Sequence, residues 1–269
     1  MERVVDRFIY HNQGWWEGLL AMVKKQDEET LHDFRLGIKR MLSLWSIYPT
    51  FLQQKQVQKD IHELTRLFKT AGQIRKLQLL KQWLEENELA IFSKDFHESV
   101  TESIQSEVAG LAEMVEAVSL VRFQKLILAW NDHLEQWDLV KLCQSFDKNL
   151  SRQFKQLQKL LDHRINEKYL HELRKSLRQI LEWVRFLLEC SEDTDLMALE
   201  NALKGLNQHL GNWQDRNDIQ RAIKIQIKKH PNPELNTLMI RCKAEKRVLF
   251  QEVRFQLKVF RETYLKSLK

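Results

Sequence analysis

Two segments of the chain carry the same ladder of basic side chains. The first segment, LHDFRLGIKRML, covers residues 31–42, and the second, LHELRKSLRQIL, covers residues 170–181. In each, a histidine is followed by an arginine three residues later and by a lysine or arginine seven residues later. Arginine presents a planar fork of donors to phosphate oxygens, lysine a mobile charge, and histidine a donor that is cationic below about pH 6.5. These residue types at this spacing favour the binding of an anion.

Both ladders are predicted to lie on amphipathic helices. Their apolar residues recur at three- and four-residue steps, which is typical of a helix face that packs on a core. At about 100° per residue, the basic side chains form a narrow ridge beside that face, where neighbouring helices meet. The first ridge consists of His32, Arg35 and Lys39, and the second ridge consists of His171, Arg174 and Arg178. Ser46 continues the first ridge, and Arg185 holds the equivalent position beyond the second.

The ordinary alternative is that both ridges are simply solvated. Basic residues on helices usually point into water, and a histidine beside an apolar face is more often packed than bound to a ligand. Against this, both copies keep a basic residue at all three positions, and carboxylates are not interspersed among them, apart from Glu182 at the border of the second ridge. The pattern favours an anion-binding surface and leaves the alternative open.

The ladders belong to a longer internal repeat. An offset of 139 residues, about half the chain, places the first ridge on the second and aligns the apolar residues around them. The same offset places Leu64, Leu67 and Gly72 on Leu203, Leu206 and Gly211. One register held across two helices, and across a glycine-containing turn predicted after the ladder, indicates a duplicated helical unit with pseudo-twofold symmetry.

A third set of basic residues lies along the last predicted helix. Along one flank of its apolar stripe lie Lys243, Arg247, Arg254 and Arg261, with Lys258 nearby. Glu245 and Glu252 fall toward the opposite side. This spacing suits a solvated flank and a further part of an anion-binding surface equally well.

The composition indicates an all-α protein. The chain of 269 residues contains 7 Gly and 3 Pro, and 43% of its residues are hydrophobic, so long helices joined by short connections are expected. Alternating, strand-like runs of useful length are absent. The apolar period predicts helices over residues 3–25, 28–48, 55–69, 74–86, 94–118, 120–136, 139–164, 167–188, 193–210, 215–229 and 233–266.

Several other classes of protein are disfavoured. The net charge of +6 suits an anionic partner without choosing among nucleic acid, a membrane surface and phosphates. Cys143, Cys190 and Cys242 are isolated, which predicts reduced thiols in a cytoplasmic protein rather than disulfides or a metal site. No apolar run is long enough for a signal peptide or a membrane span. Without a phosphate-binding glycine loop or an HExxH motif, we expect no catalytic residues, no metal and no cofactor.

These features resemble the CHAD family, the conserved histidine α-helical domain. The duplicated H-x-x-R-x-x-x-[KR] helices carry the resemblance, together with GQIRKLQLL and LGNWQDRNDI, which are similar to the family's L-G-x-x-[RQ]-D segments. Arg75, Gln214 and Asp215 fit that pattern, whereas Lys76 stands where the family usually has Asp. The resemblance implies two four-helix bundles of long antiparallel helices, over residues 1–137 and 138–269, related by a pseudo-twofold and separated by a basic pore or groove.

The resemblance also implies binding of inorganic polyphosphate, often at polyphosphate granules. The residues expected to contact it are His32, Arg35, Lys39, Arg75, His171, Arg174, Arg178, Arg185, Lys243, Arg247 and Arg254. Leu42 and Leu181 stand where the family often has a further arginine, which predicts a leaner basic lining. We expect Arg185 and the flank of the last helix to compensate.

Two other functions stay open. A basic helical surface also suits a nucleic-acid backbone, although base-stacking aromatics would then be expected beside the ridges. Trp45, Trp83 and Trp130 instead sit among Leu and Ile, as core residues do. The other alternative is a helical interaction protein with no anionic partner.

Overall fold

The computed structural model describes residues 2–25, 28–46, 53–87, 94–117, 120–135, 139–162, 166–190, 193–229 and 233–265. Across these ranges the chain is helical and has no strand, which confirms the predicted all-α class. The helices are α1 (Glu2–Lys25), α2 (Glu28–Trp45), α3 (Lys55–Glu86), α4 (Lys94–Glu116), α5 (Leu120–Glu135), α6 (Leu139–Asp162), α7 (Glu167–Cys190), α8 (Thr194–Lys229) and α9 (Pro233–Phe260), and a π-helical turn (Arg261–Leu265) follows α9.

The helices divide between two compact units. Unit 1 comprises Met1–Leu77 and Thr101–Asn149, and unit 2 comprises Gln78–Val100 and Leu150–Lys269. The borders between the units fall inside α3, α4 and α6. The segment Gln78–Val100, which lies in the first of the two halves expected from the sequence, therefore belongs to unit 2.

In unit 1, a buried apolar face holds the helix of the first ladder. The buried residues on this face of α2 are Leu31, Phe34, Ile38, Met41 and Trp45, none of them more than 2% exposed. Burial of each such side chain stabilises the fold by about 1.5–3 kcal/mol. The indole of Trp45 donates to Oδ1 of Asn12 on α1 (3.1 Å), and Asn12 donates to Oδ1 of Asn131 on α5 (2.9 Å). These contacts fix the rotation of α2 and hence the direction of its ridge.

In unit 2, the helix of the second ladder buries the equivalent face. Its buried side chains are Leu170, Leu173, Leu177, Ile180, Leu181 and Val184, in one cluster with residues of α6, α8 and α9. Asn166 caps the start of α7, because its Oδ1 accepts hydrogen bonds from the backbone N–H groups of Lys168 (3.0 Å) and Tyr169 (3.2 Å). Each ladder therefore lies at the edge of a packed core in its own unit.

The turns predicted at Gly72 and Gly211 are wrong. α3 and α8 run through these glycines without interruption, over Lys55–Glu86 and Thr194–Lys229. One glycine inside a helix costs about 1 kcal/mol relative to alanine, and burial of the neighbouring Leu67 and Ile74 outweighs that cost. A glycine therefore did not mark a turn here.

Candidate anion-binding site

The first ridge lies on α2 and faces one side of α3. Arg35 is half-buried, and its Nη1 donates to the backbone carbonyl of Phe68 on α3 at 3.0 Å. Its guanidinium carbon is 4.7 Å from the centre of the Phe68 ring, and Nζ of Lys39 is 5.8 Å from the same centre. Both distances lie within the range of cation–π attraction. One aromatic ring thus helps to position two of the three ridge side chains.

Gly72 makes room for Arg35. A Cβ atom at residue 72 would overlap Nη1 of Arg35 and lie 3.4 Å from its Cζ. Any larger residue would push the guanidinium away from the Phe68 carbonyl, one helical turn earlier on α3. The glycine noticed in the sequence is therefore needed for the close approach of a side chain to a helix.

The structure brings Arg75 of α3 into the neighbourhood of the first ridge. The pKa of His32 is lowered, first by partial burial and then by the positive charge of Arg75, with smaller effects of the same sign from Lys39 and Arg35. Asp33 opposes the shift. An imidazole that feels three cations lies in a region of positive potential, where a bound anion would be stabilised. We call His32, Arg35, Lys39 and Arg75 the first cluster.

The second ridge repeats part of this arrangement on α7 and α8. Nη2 of Arg174 approaches Gly211, where a Cβ atom would lie 3.7 Å away, an ordinary van der Waals distance. The offset that pairs Arg35 with Arg174 pairs Phe68 with Asn207, so the aromatic ring is missing here. Among the described residues, Nε of Arg174 and Oδ1 of Asn207 are buried without a hydrogen-bond partner.

Two carboxylates lie close to Arg174 in the second ridge. Burial lowers the pKa of Arg174, whereas Asp215 and Asp218 on α8 raise it. An arginine remains charged under either influence, so two carboxylates offset part of its charge. The residues of α3 at the equivalent positions are Lys76 and Leu79, which carry no negative charge. His171 is exposed, and Arg178 is half-buried.

Arg185, which was expected to extend the second ridge, is engaged with acidic residues. Its Nε donates to Glu200 at 2.9 Å, and its Nη1 lies 3.6 Å from Glu182. Two carboxylates therefore reduce the positive potential that this side chain offers to an anion. Glu182 lies on the ladder helix itself and could be recognised from the sequence. Glu200 lies on the following helix, α8, and only the structure places it beside Arg185.

The basic flank of the last helix is exposed. Lys243, Arg247, Arg254 and Lys258 lie on the surface of α9, and within the described ranges they form no ion pair. Arg261, in the π-helical turn, donates to Asp162 at 2.6 Å. Glu245 does not pair with these side chains; its carboxylate accepts hydrogen bonds from the indole of Trp83 and from Arg241. This flank is available to an anion in unit 2.

Sequence reasoning missed Phe68 and Asp218. Phe68 lies one turn before Gly72, and Asp218 one turn after Gln214, so both stand beside motif positions that had been recognised. Residues at i−4 and i+4 from a motif share its helix face, and that spacing was the signal available. Their roles depend on which face meets the ladder helix.

Three further predictions concern thiols, metals and membranes. Cys242 is free and buried, and burial raises the pKa of its thiol to about 11. The side chains of Cys143 and Cys190 lie outside the described residues. In the part of the chain that the structure describes, no three His, Cys, Asp or Glu side chains are grouped to hold a metal ion. Nor does any helix there combine the length and apolar character needed to cross a bilayer.

Comparison with known proteins identifies similar sequences and folds. A family model described as the CHAD domain matches residues 1–223. The crystal structure of the CHAD domain from the plant Ricinus communis is 16% identical, covers 95% of this chain and 89% of its own, and superposes with a TM-score of 0.72. PptA from Streptomyces chartreusis is 14% identical, and the match covers 96% of this chain and 97% of PptA with a TM-score of 0.63. No curated protein matches the chain.

Proposed function

This chain belongs to the CHAD family, and from that premise we propose that it binds inorganic polyphosphate through its basic ridges. One observation supports the proposal above the others. His32, Arg35, Lys39 and Arg75 come from two helices of unit 1 and share one region of positive potential, in which Arg35 is seated on the Phe68 carbonyl over Gly72. A solvated surface would not need a helical glycine to admit one of its arginines.

The chemistry of the ligand suits this arrangement. A linear polyphosphate presents a row of closely spaced charges and many acceptor oxygens, which rows of Arg, Lys and His can contact in succession. Because Arg35 is already held in place, less side-chain entropy is lost on binding than for a free surface arginine. Contacts with successive phosphates make affinity rise with chain length. The proposed activity is binding alone, without catalysis, cofactor or metal.

The cellular role that follows is a scaffold or targeting module. A protein that holds polyphosphate without consuming it can attach to polyphosphate granules in the cytoplasm. His171, Arg174, Arg178 and the flank formed by Lys243, Arg247 and Arg254 belong to the same proposal, as basic contacts within unit 2.

The main competing ligand is a nucleic acid. Single-stranded nucleic acids are held by stacking of bases on aromatic side chains as well as by cations. The indole rings of Trp45, Trp83 and Trp130 are at most 3% exposed, so they cannot stack on a base without unfolding their surroundings. Phe68 is already covered by Arg35. Around the first cluster, these positions favour an anion without bases, whereas on α9 the ring of Phe255 beside Arg254 is 63% exposed.

Direct binding tests the proposal. The full chain would be titrated with long-chain polyphosphate by calorimetry at several salt concentrations, and RNA at equal phosphate would be added as competitor. We expect polyphosphate to bind, its affinity to fall steeply with salt because counterions are released, and RNA to compete poorly. An affinity that does not respond to salt, or RNA that displaces polyphosphate at equal phosphate, would overturn it.

A further inference from the structure

A second basic surface runs along the exposed face of α3. The first five members are spaced at three- and four-residue steps, the sixth follows seven residues later, and all are exposed: Lys55, Lys59, His62, Arg66, Lys69 and Lys76. We call this set the α3 stripe. At 1.5 Å per residue, it extends for about 32 Å. A continuous cationic line of this length matches an extended anion better than a compact one.

The α3 stripe is absent from the second half of the repeat. The residues that the 139-residue offset places at its six positions are Thr194, Ala198, Asn201, Gly205, Gln208 and Asp215. None of them is basic, although the ridges themselves are kept in both halves. The stripe therefore gives the first half of the repeat a charge pattern that the second half lacks.

The amino-terminal part of the stripe lines a groove of about 540 Å³. Its walls come from α3 and α5 and are formed by Lys55, Gln58, Lys59, His62, Glu63, Arg66 and Arg122. Arg122 pairs with the buried carboxylate of Asp60 and donates to Glu63 at 3.1 Å. These two acids of α3 are thereby engaged with Arg122. Within the described ranges, Lys55, Lys59 and Arg66 form no ion pair.

The stripe is contiguous with the first cluster on the surface of α3. Arg35 lies over Gly72, and Lys69 and Lys76 are the i−3 and i+4 neighbours of that glycine. Residues at these spacings are adjacent on a helix. From Lys69 the line continues through Arg66 and Lys59 to the groove. Between Lys55 and Gly72, over which Arg35 lies, none of the exposed residues of α3 is a carboxylate.

We propose that the α3 stripe binds the continuation of a polyphosphate chain whose nearer phosphates occupy the first cluster. This inference rests on the proposed function and adds how the protein selects its ligand. A short oligophosphate fills the first cluster alone. A long chain passes Lys69 and follows α3 into the groove, where Lys59 and Arg66 contact further phosphates. The stripe thus makes this chain selective for long polyphosphate through additional contacts to one ligand.

Paired variants separate the two surfaces. In the stripe variant, Lys59→Gln is combined with Arg66→Gln, and in a control of equal charge, Lys224→Gln is combined with Lys228→Gln on the exposed face of α8. Tripolyphosphate and a long-chain fraction would each be titrated into wild type, stripe variant and control. We expect the stripe variant to bind the long chain about tenfold more weakly, with a salt slope smaller by about 2, and to bind tripolyphosphate like wild type. The control should match wild type with both ligands.

The outcomes distinguish the two proposals. If wild type binds neither ligand, the proposed function fails, and the stripe inference fails with it. If wild type binds both but the stripe variant equals the control on the long chain, only the stripe inference is overturned. A stripe variant that weakens tripolyphosphate and long chains equally would also overturn it, since the stripe would then belong to the primary site. Circular dichroism of the variants checks that these exposed substitutions leave the helices intact.

Discussion

Arg35 and Arg174 occupy equivalent positions in the two copies of the repeat, but their surroundings differ. Each lies over a glycine of the helix that follows its ladder. Arg35 donates to a backbone carbonyl and covers the Phe68 ring, and the neighbouring His32 feels the positive charges of Arg75 and Lys39, which Asp33 partly opposes. Arg174 is instead flanked by the carboxylates of Asp215 and Asp218.

This difference predicts unequal contributions of the two ladders to the proposed binding of an anion. In unit 1 the positive charge of the ridge adds to that of Arg75 on α3, which would favour the proposed ligand. In unit 2, carboxylates of α8 offset part of the charge of two basic side chains: Asp215 and Asp218 lie near Arg174, and Glu200 accepts from Arg185. The two ladders are alike in sequence, and residues on the helix that follows each one give the two arginines different neighbours.

The largest expected changes in affinity and stability follow from substitution of Arg35 or Arg174. We expect Arg35→Gln to weaken polyphosphate binding about tenfold, since a charge-assisted contact of about 1.4 kcal/mol is removed. Arg174→Gln should weaken binding less but lower the free energy of unfolding by about 1 kcal/mol, because Asp215 and Asp218 lose a neighbouring positive charge while Asp218 keeps Arg221 at 3.9 Å. Calorimetric titration and urea unfolding of both variants measure the two effects. Equal losses of affinity in the two variants would remove the distinction between the ridges.

The paired glycines provide a subtler test. Gly72→Ala should displace Arg35 and weaken binding about threefold to fivefold, while stability changes little, because the gain in helix propensity of about 1 kcal/mol offsets the lost hydrogen bond. Gly211→Ala meets Arg174 at an ordinary contact distance, so it should stabilise the protein by up to about 1 kcal/mol and leave binding nearly unchanged. Thermal unfolding and titration of each variant decide this. If Gly72→Ala binds like wild type, the seating of Arg35 does not contribute to the site.

The smallest expected effect is a pH dependence carried by His32. Its pKa in the free protein is lowered below 6.5, whereas a bound polyanion would raise it, so binding takes up a proton. Affinity should therefore rise about twofold to threefold as pH falls from about 7.5 to about 5.5, with much of the gain below pH 6.5. The same shift makes the free protein less stable as pH falls through 6.5, since the unfolded imidazole is protonated first.

Substitution of each ladder histidine isolates this contribution. His32→Gln should abolish its share of the pH dependence, which titrations across the same pH range would show. His171→Gln serves as the matched variant in the other ridge, and its pH profile measures what the second copy adds. A wild-type dissociation constant that is constant over this range would contradict the role given to His32.

The helical class and the buried faces of the ladder helices could be predicted from local pattern alone. Phe34, Ile38 and Trp45 recur at helical spacing, and hydrophobic burial depends mainly on that spacing. The glycine signals misled for the same reason. Local propensity places a glycine at a turn, but Gly72 leaves space for the side chain of Arg35, which lies 37 residues earlier in the chain. No local pattern reveals this contact.

The amino-acid sequence by itself determined that the protein is helical and repeated, and that its basic ridges flank apolar faces, because these properties follow from the order of residues along single helices. Only the tertiary structure decided that Arg35 rests on Phe68, that Asp218 faces Arg174, and that Glu200 binds Arg185. Such pairings depend on how separate helices pack and rotate against each other. Charge in a folded protein acts through distance in space, and helix packing sets that distance.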